Sequence, residues 1–148
     1  MLLALGACGS ADAQPTATSG LQTPAGWQTL PAVANAVRAA AAAPGITVDG
    51  AEAWGETSLG CYAVWFAMHG DGGGADQLTK EILDGLSDAR ITATQQSADP
   101  LVLAIEKAPY KGTLKAELGG GKITALACVA TDRDPCEPAC KTLLGAMP

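Results

Sequence analysis

The stretch that most constrains the fold is residues 61–68, C-Y-A-V-W-F-A-M, in which no side chain is charged. A helix that spans a bilayer needs roughly 20 apolar residues, so a run of this length is a strand and not a membrane segment. Along it Tyr62, Val64, Phe66 and Met68 alternate with Cys61, Ala63, Trp65 and Ala67, which makes both faces apolar. Such a strand belongs in the middle of a sheet, with cover above and below. The chain has 148 residues, 48% of them hydrophobic, enough for one core of ordinary size. Aromatic residues make up only 4%, so Ala, Val, Leu and Ile must fill that core around Trp27, Trp54 and Trp65.

Hydrophobic periodicity places the other elements around this strand. Residues 46–53 and 58–68 form a hairpin joined across Gly55, Glu56 and Thr57. Residues 90–97, 101–108, 111–118 and 122–131 follow as four strands with short connections, a meander. Lys111, Thr113, Lys115 and Glu117 alternate with Gly112, Leu114, Ala116 and Leu118, giving this strand one wet and one buried face. Helical spacing marks residues 30–43, capped by Thr29, and residues 75–87, where Leu78, Ile82, Leu83 and Leu86 recur. A last helix runs from Pro135 to about Gly145, with Asp134 as its cap. The order α-β-β-α-β-β-β-β-α predicts an α+β domain, a two-strand hairpin plus a four-strand meander with three helices packed on an antiparallel sheet. Lys107, Lys111, Lys115 and Lys122 are expected as edge-strand lysines that discourage sheet-to-sheet pairing. Contact with an acidic partner or anionic headgroups is the other use for them.

The N-terminus carries an address. Residues 1–7, M-L-L-A-L-G-A, precede Cys8, and Leu5-Gly6-Ala7-Cys8 resembles the lipobox of bacterial lipoproteins. The resemblance implies cleavage before Cys8 and a diacylated cysteine that anchors the chain in the cell envelope. Residues 1–7 are then a truncated signal segment, with no basic residue and a short apolar run. Gly9, rather than Asp, after the cysteine implies outer-membrane placement in a cell with two membranes. Two other readings stand beside it: cleavage after Ala11-Asp12-Ala13, releasing a secreted or periplasmic protein from Gln14, and a short apolar terminus without a targeting role. Residues 8–28 are rich in Ser, Thr, Gln, Gly and Pro and are expected to be a flexible tether, leaving residues 29–148 as a single domain.

Beyond Cys8, the cysteines are Cys61, Cys128, Cys136 and Cys140, an even number in a chain that bears an export signal, so two disulfides are expected. Cys136 and Cys140 lie one helical turn apart, where Cβ atoms are roughly 5–6 Å apart against the roughly 3.5–4.5 Å a disulfide prefers. A bond between them needs distortion, which Pro138 could supply. Otherwise each staples the helix to a strand, one to Cys61 and one to Cys128. A zinc site of four thiols is the rival, but it usually shows paired knuckles, and only one close pair exists here.

The net charge of -6 and pI near 4.5 argue against a nucleic-acid partner. The best candidate for chemistry is His69, Gly70, Asp71, Gly72, Gly73 and Gly74, a possible ligand loop that leads into the helix at residues 75–87 and could aim N–H groups at an anion. The run resembles the oxyanion loop of esterases, yet the G-x-S-x-G elbow that accompanies it is absent. No Gly-Lys-Ser/Thr follows to make a phosphate loop. A Ser-His-Asp triad could be built only around His69, with Ser58, Ser87 or Ser97. Asp132, Asp134 and Glu137 lack the glycine and closing glutamate of a calcium loop, and helix capping accounts for the last two. No catalytic residue, cofactor or metal ligand is assigned. The expectation is a non-catalytic cell-envelope lipoprotein domain that binds another protein through a sheet face or edge near Trp54, Trp65 and the lysine-bearing strand. The alternatives are a small-ligand or anion binder using the glycine loop and a hydrolase centred on His69.

Overall fold

A strand with two apolar faces needs hydrogen-bonded neighbours on both edges, and the fold is built outward from that requirement. The computed structural model describes residues 17–41, 45–70, 90–96 and 101–147, the backbone alone for 90–96, Leu118 and Arg133. In chain order these form β1 (Gln28–Thr29), α1 (Pro31–Ala41), β2 (Ile46–Glu56), β3 (Cys61–Gly70), β4 (Arg90–Gln96), β5 (Leu101–Lys107), β6 (Tyr110–Gly119), β7 (Lys122–Ala130) and α2 (Arg133–Ala146). The strands make one antiparallel sheet of seven, in the order β1-β2-β3-β7-β6-β5-β4.

The hairpin and the meander are therefore not separate units. β7, the last strand of the meander, pairs with β3 from Cys61↔Ala130 to His69↔Lys122 and joins the two. Of the three expected helices, two are described, and residues 75–87 lie outside the described residues. The first helix begins at Pro31, because Gln28 and Thr29 pair with Gly55 and Trp54 as a short extra strand instead of capping it. Pro at the first helical position loses no hydrogen bond there. The last helix begins two residues earlier than expected, with Asp132 as its cap accepting from the Asp134 N–H at 3.2 Å.

Strand alternation sorts the core onto the two faces. On one, Trp54, Ala63, Trp65, Leu126 and Cys128 meet Leu143 and Met147 at the end of α2, with Leu21 and Trp27 packed alongside. On the other, Met68, Leu101, Leu103, Leu114, Ala116, Ile123 and Ala125 form a second buried cluster, with Ala41, Ile46 and Phe66 against it. The two staples lie on the first face. Cys61 bonds Cys136 and Cys128 bonds Cys140, with Cα separations of 5.6 and 5.8 Å, so both helix cysteines reach strands.

Two further expectations are corrected. The lysines are not on edge strands: β5, β6 and β7 each have a neighbour on both sides. Lys115 instead donates to the Leu144 carbonyl at the end of α2, at 3.1 Å, and Lys111 pairs with Glu106 at 3.7 Å. The tether also ends sooner than composition implies. From Ala17 on, the chain lies against the sheet: the Ala17 N–H donates to the Asp49 carbonyl at 2.8 Å and the Ser19 N–H to Glu52 Oε2 at 3.0 Å. Composition counts apolar side chains, whereas this segment is held by backbone hydrogen bonds as well as by Ala17, Leu21 and Trp27 packed on the core.

Glycine is required at two kinds of place. Gly120 and Gly121 have φ of 60° and 74°, the left-handed pair of a tight β6–β7 turn. At Gly112 a Cβ would overlap the Cys128 carbonyl oxygen on β7. Gly112→Ala should therefore destabilise the domain by about 1–3 kcal/mol in denaturant unfolding. Gly145→Ala, in the last turn of α2 with open space around its Cβ, should gain a few tenths, up to about 1 kcal/mol. The staples close loops of unequal length, with sequence separations of 75 and 12. Replacing Cys61 and Cys136 by Ala should cost about 4.5 kcal/mol, and replacing Cys128 and Cys140 about 3 kcal/mol.

Candidate functional site

His69 and Gly70 are the last two residues of β3 rather than the start of a loop. The register of β2 on β3 shifts between Val48 and Gly50, and the extra residue of this bulge is Asp49. The bulge turns its carboxylate onto His69: Nδ1 lies 2.9 Å from both Oδ1 and Oδ2. An Nδ1–H donated to Asp49 fixes the ring and leaves Nε2 as the remaining ring nitrogen. Both side chains are about a third exposed, 37% and 30%, so the pair faces water.

An imidazole oriented by a carboxylate is two-thirds of a triad, but the predicted nucleophiles are not brought to it. Ser58 precedes β3 in the turn Thr57–Leu59, with its hydroxyl bonded to Glu56. That places it beyond the far end of a strand whose eight steps from Cys61 to His69 span about 26 Å. Ser87 and Ser97 lie outside the described residues, as do Asp71, Gly72, Gly73 and Gly74. Of the possible ligand loop, the Gly70 N–H is already donated to the Gly121 carbonyl at 3.2 Å and is not free for an anion.

A second concavity was not legible in the sequence. Between α2 and the strands β6 and β7 lies a groove of about 290 Å³, bordered by Lys111, Thr113, Ala130, Glu137, Lys141 and Leu144. Cys128, Cys136 and Cys140 line it as well. Its rim carries both signs of charge, with Lys141 paired to Glu137 at 3.2 Å. All four domain cysteines are bonded, so none offers a thiolate. Among the described residues no three His, Cys, Asp or Glu side chains converge on a metal position, and no helix is long and apolar enough to cross a membrane.

The two tryptophans near the expected docking surface are themselves buried. Trp54 and Trp65 are each 3% exposed, covered by α2 and the N-terminal segment, and cannot touch a partner as the domain stands. The exposed large apolar side chain among the described residues is Leu59, at the tip of the β2–β3 connection. The sequence reading also missed Asp49; its signal was the Asp49-Gly50 pair inside an apolar run, a common mark of a bulge. Comparison with known protein families, curated proteins and solved structures returns no match.

The partly exposed His69–Asp49 pair should act as a modest tie between β2 and β3. Asp49→Ala should lower stability at neutral pH by less than about 1 kcal/mol, measured by urea unfolding.

Proposed function

We propose that the chain is a non-catalytic lipoprotein of the cell envelope, anchored through a lipid on Cys8, whose domain binds another envelope protein. The observation that carries this reading is the pair of disulfides joining α2 to the central strands, since such bonds form and persist in an oxidising, exported compartment. The lipobox-like Leu5-Gly6-Ala7-Cys8 supplies the anchor.

The point where the chain joins the sheet sets how such a domain would be displayed. Nine backbone steps separate Cys8 from Ala17, a reach of at most about 32 Å. Ala17 is fastened beside Asp49, at the end of the sheet that also holds His69 and the Gly120-Gly121 turn. That end is then held near the bilayer. The opposite end, with Leu59 and the start of α2, lies roughly a strand length away and faces a partner.

Intact mass of the natively expressed protein, with and without reduction, tests the anchor and the staples. A diacylglyceryl adduct on a chain beginning at Cys8, with four thiols appearing only on reduction, is expected. An unlipidated chain with free thiols would overturn the reading. Cross-linking in intact envelopes should add a second protein at Leu59, introduced as a photo-reactive residue; recovery of the lipoprotein alone counts against a protein partner.

A further inference from the structure

The two staples differ in what surrounds them. Cys61 and Cys136 are 0% and 1% exposed, and their bond is sealed at the start of α2. Cys128 is 3% exposed and, with Cys136 and Cys140, lines the groove beside β6; of the four cysteines Cys140 alone is half-buried and partly open to solvent. Lys111 and Lys141 border that groove together with Asp134 and Glu137, so its charge is balanced and access to the bond rests on the exposure of Cys140.

Beyond Cys140, the helix is held without covalent bonds. Leu143 and Met147 cover Trp54 and Trp65, and Lys115 holds the Leu144 carbonyl. Pro138 sits between the two helix cysteines. It has no N–H to give the Asp134 carbonyl, so the helix is weakest between its two points of attachment. The face beneath also hides a cost: Trp65 Nε1 is buried with no hydrogen-bond partner, and water would supply one if the helix lifted.

We propose that Cys128–Cys140 is a thiol-exchange site addressed by a dithiol reductant, and that its cleavage lets the C-terminal half of α2 swing off the tryptophan face while Cys61–Cys136 holds the rest. A thiolate of the reductant attacks Cys140 Sγ, the Cys128–Cys140 bond breaks, and Cys128 leaves as a thiolate that takes a proton from water. The second thiol of the reductant then attacks the mixed disulfide. Cys140 is released as a thiol, and the reductant ends as a disulfide, oxidised by two electrons. The opened state exposes Trp54 and Trp65 to water; the inference rests on the exported, disulfide-bonded reading above.

The test uses the oxidised full chain carrying Cys8→Ser, so that no other thiol competes. It is titrated with dithiothreitol, quenched, alkylated and mapped by mass, with tryptophan quenching by acrylamide and far-ultraviolet circular dichroism followed in parallel. Cys128 and Cys140 should become alkylated at a reductant concentration at least about tenfold below that needed for Cys61 and Cys136. Quenching should rise at that first step and the dichroism should hold. The Cys128→Ser, Cys140→Ser double variant should show the raised quenching without reductant, and the Cys61→Ser, Cys136→Ser pair should not. Reduction of all four cysteines together, or of Cys61 and Cys136 first, overturns the exchange site. Selective reduction with unchanged quenching overturns the swing. Failure of the exported reading is separate and shows as free thiols in the native protein, whatever the oxidised chain does.

Discussion

The pairing of β3 with β7 is the interaction on which the remainder of the domain depends. Its register sets Ala63 opposite Cys128 and Cys61 opposite Ala130, so Cys61 and Cys128 lie on one face, on adjacent strands, one pleat apart. Diagonal neighbours of that kind are roughly 7–8 Å apart, close to the spacing of residues one helical turn apart. Cys136 and Cys140 can therefore each meet a strand partner without unwinding the helix. A slip of one residue would turn Cys128 to the opposite face and leave α2 with a single staple.

The same pairing decides where the small residues go. Ala63, Ala116 and Ala125 are fully buried and Ala130 nearly so, in the central strands, where they let the covering layer approach closely. Two tryptophans then supply most of the bulk on the stapled face, Trp54 from β2 and Trp65 from β3. That face is closed by three things of different kinds: the backbone-held segment from Ala17, the disulfides, and the Lys115 bond to the end of α2. Only the disulfides are chemically switchable, and they are unequally buried.

The candidate sites show where sequence patterns lose force. In the sequence His69 stands out as the one histidine, followed by glycines. Its structural partner came from twenty residues upstream, by way of a bulge whose position depends on how β2 registers against β3. The glycine run suggests a loop, yet the strand continues through Gly70 because Ile46 of β2 pairs with it and the Gly121 carbonyl of the β6–β7 turn accepts its N–H. The lysines of β6 looked like edge protection from alternation alone. Alternation cannot say whether a neighbour lies beyond the strand, and here α2 lies over the wet face and takes Lys115 as a cap.

By itself the sequence determined the strand at residues 61–68 and its central place, the α+β class, the antiparallel hairpins, the C-terminal helix and the same-side disposition of Cys136 and Cys140, because each follows from a local period or a turn residue. Tertiary structure alone decided that β7 is the strand that joins hairpin to meander, which cysteine meets which, that residues from Ala17 on pack on the sheet, and what covers Trp54 and Trp65. These outcomes depend on contacts between residues far apart in the chain. Local periodicity tells which side of an element is apolar, and only the assembled layers tell what covers it.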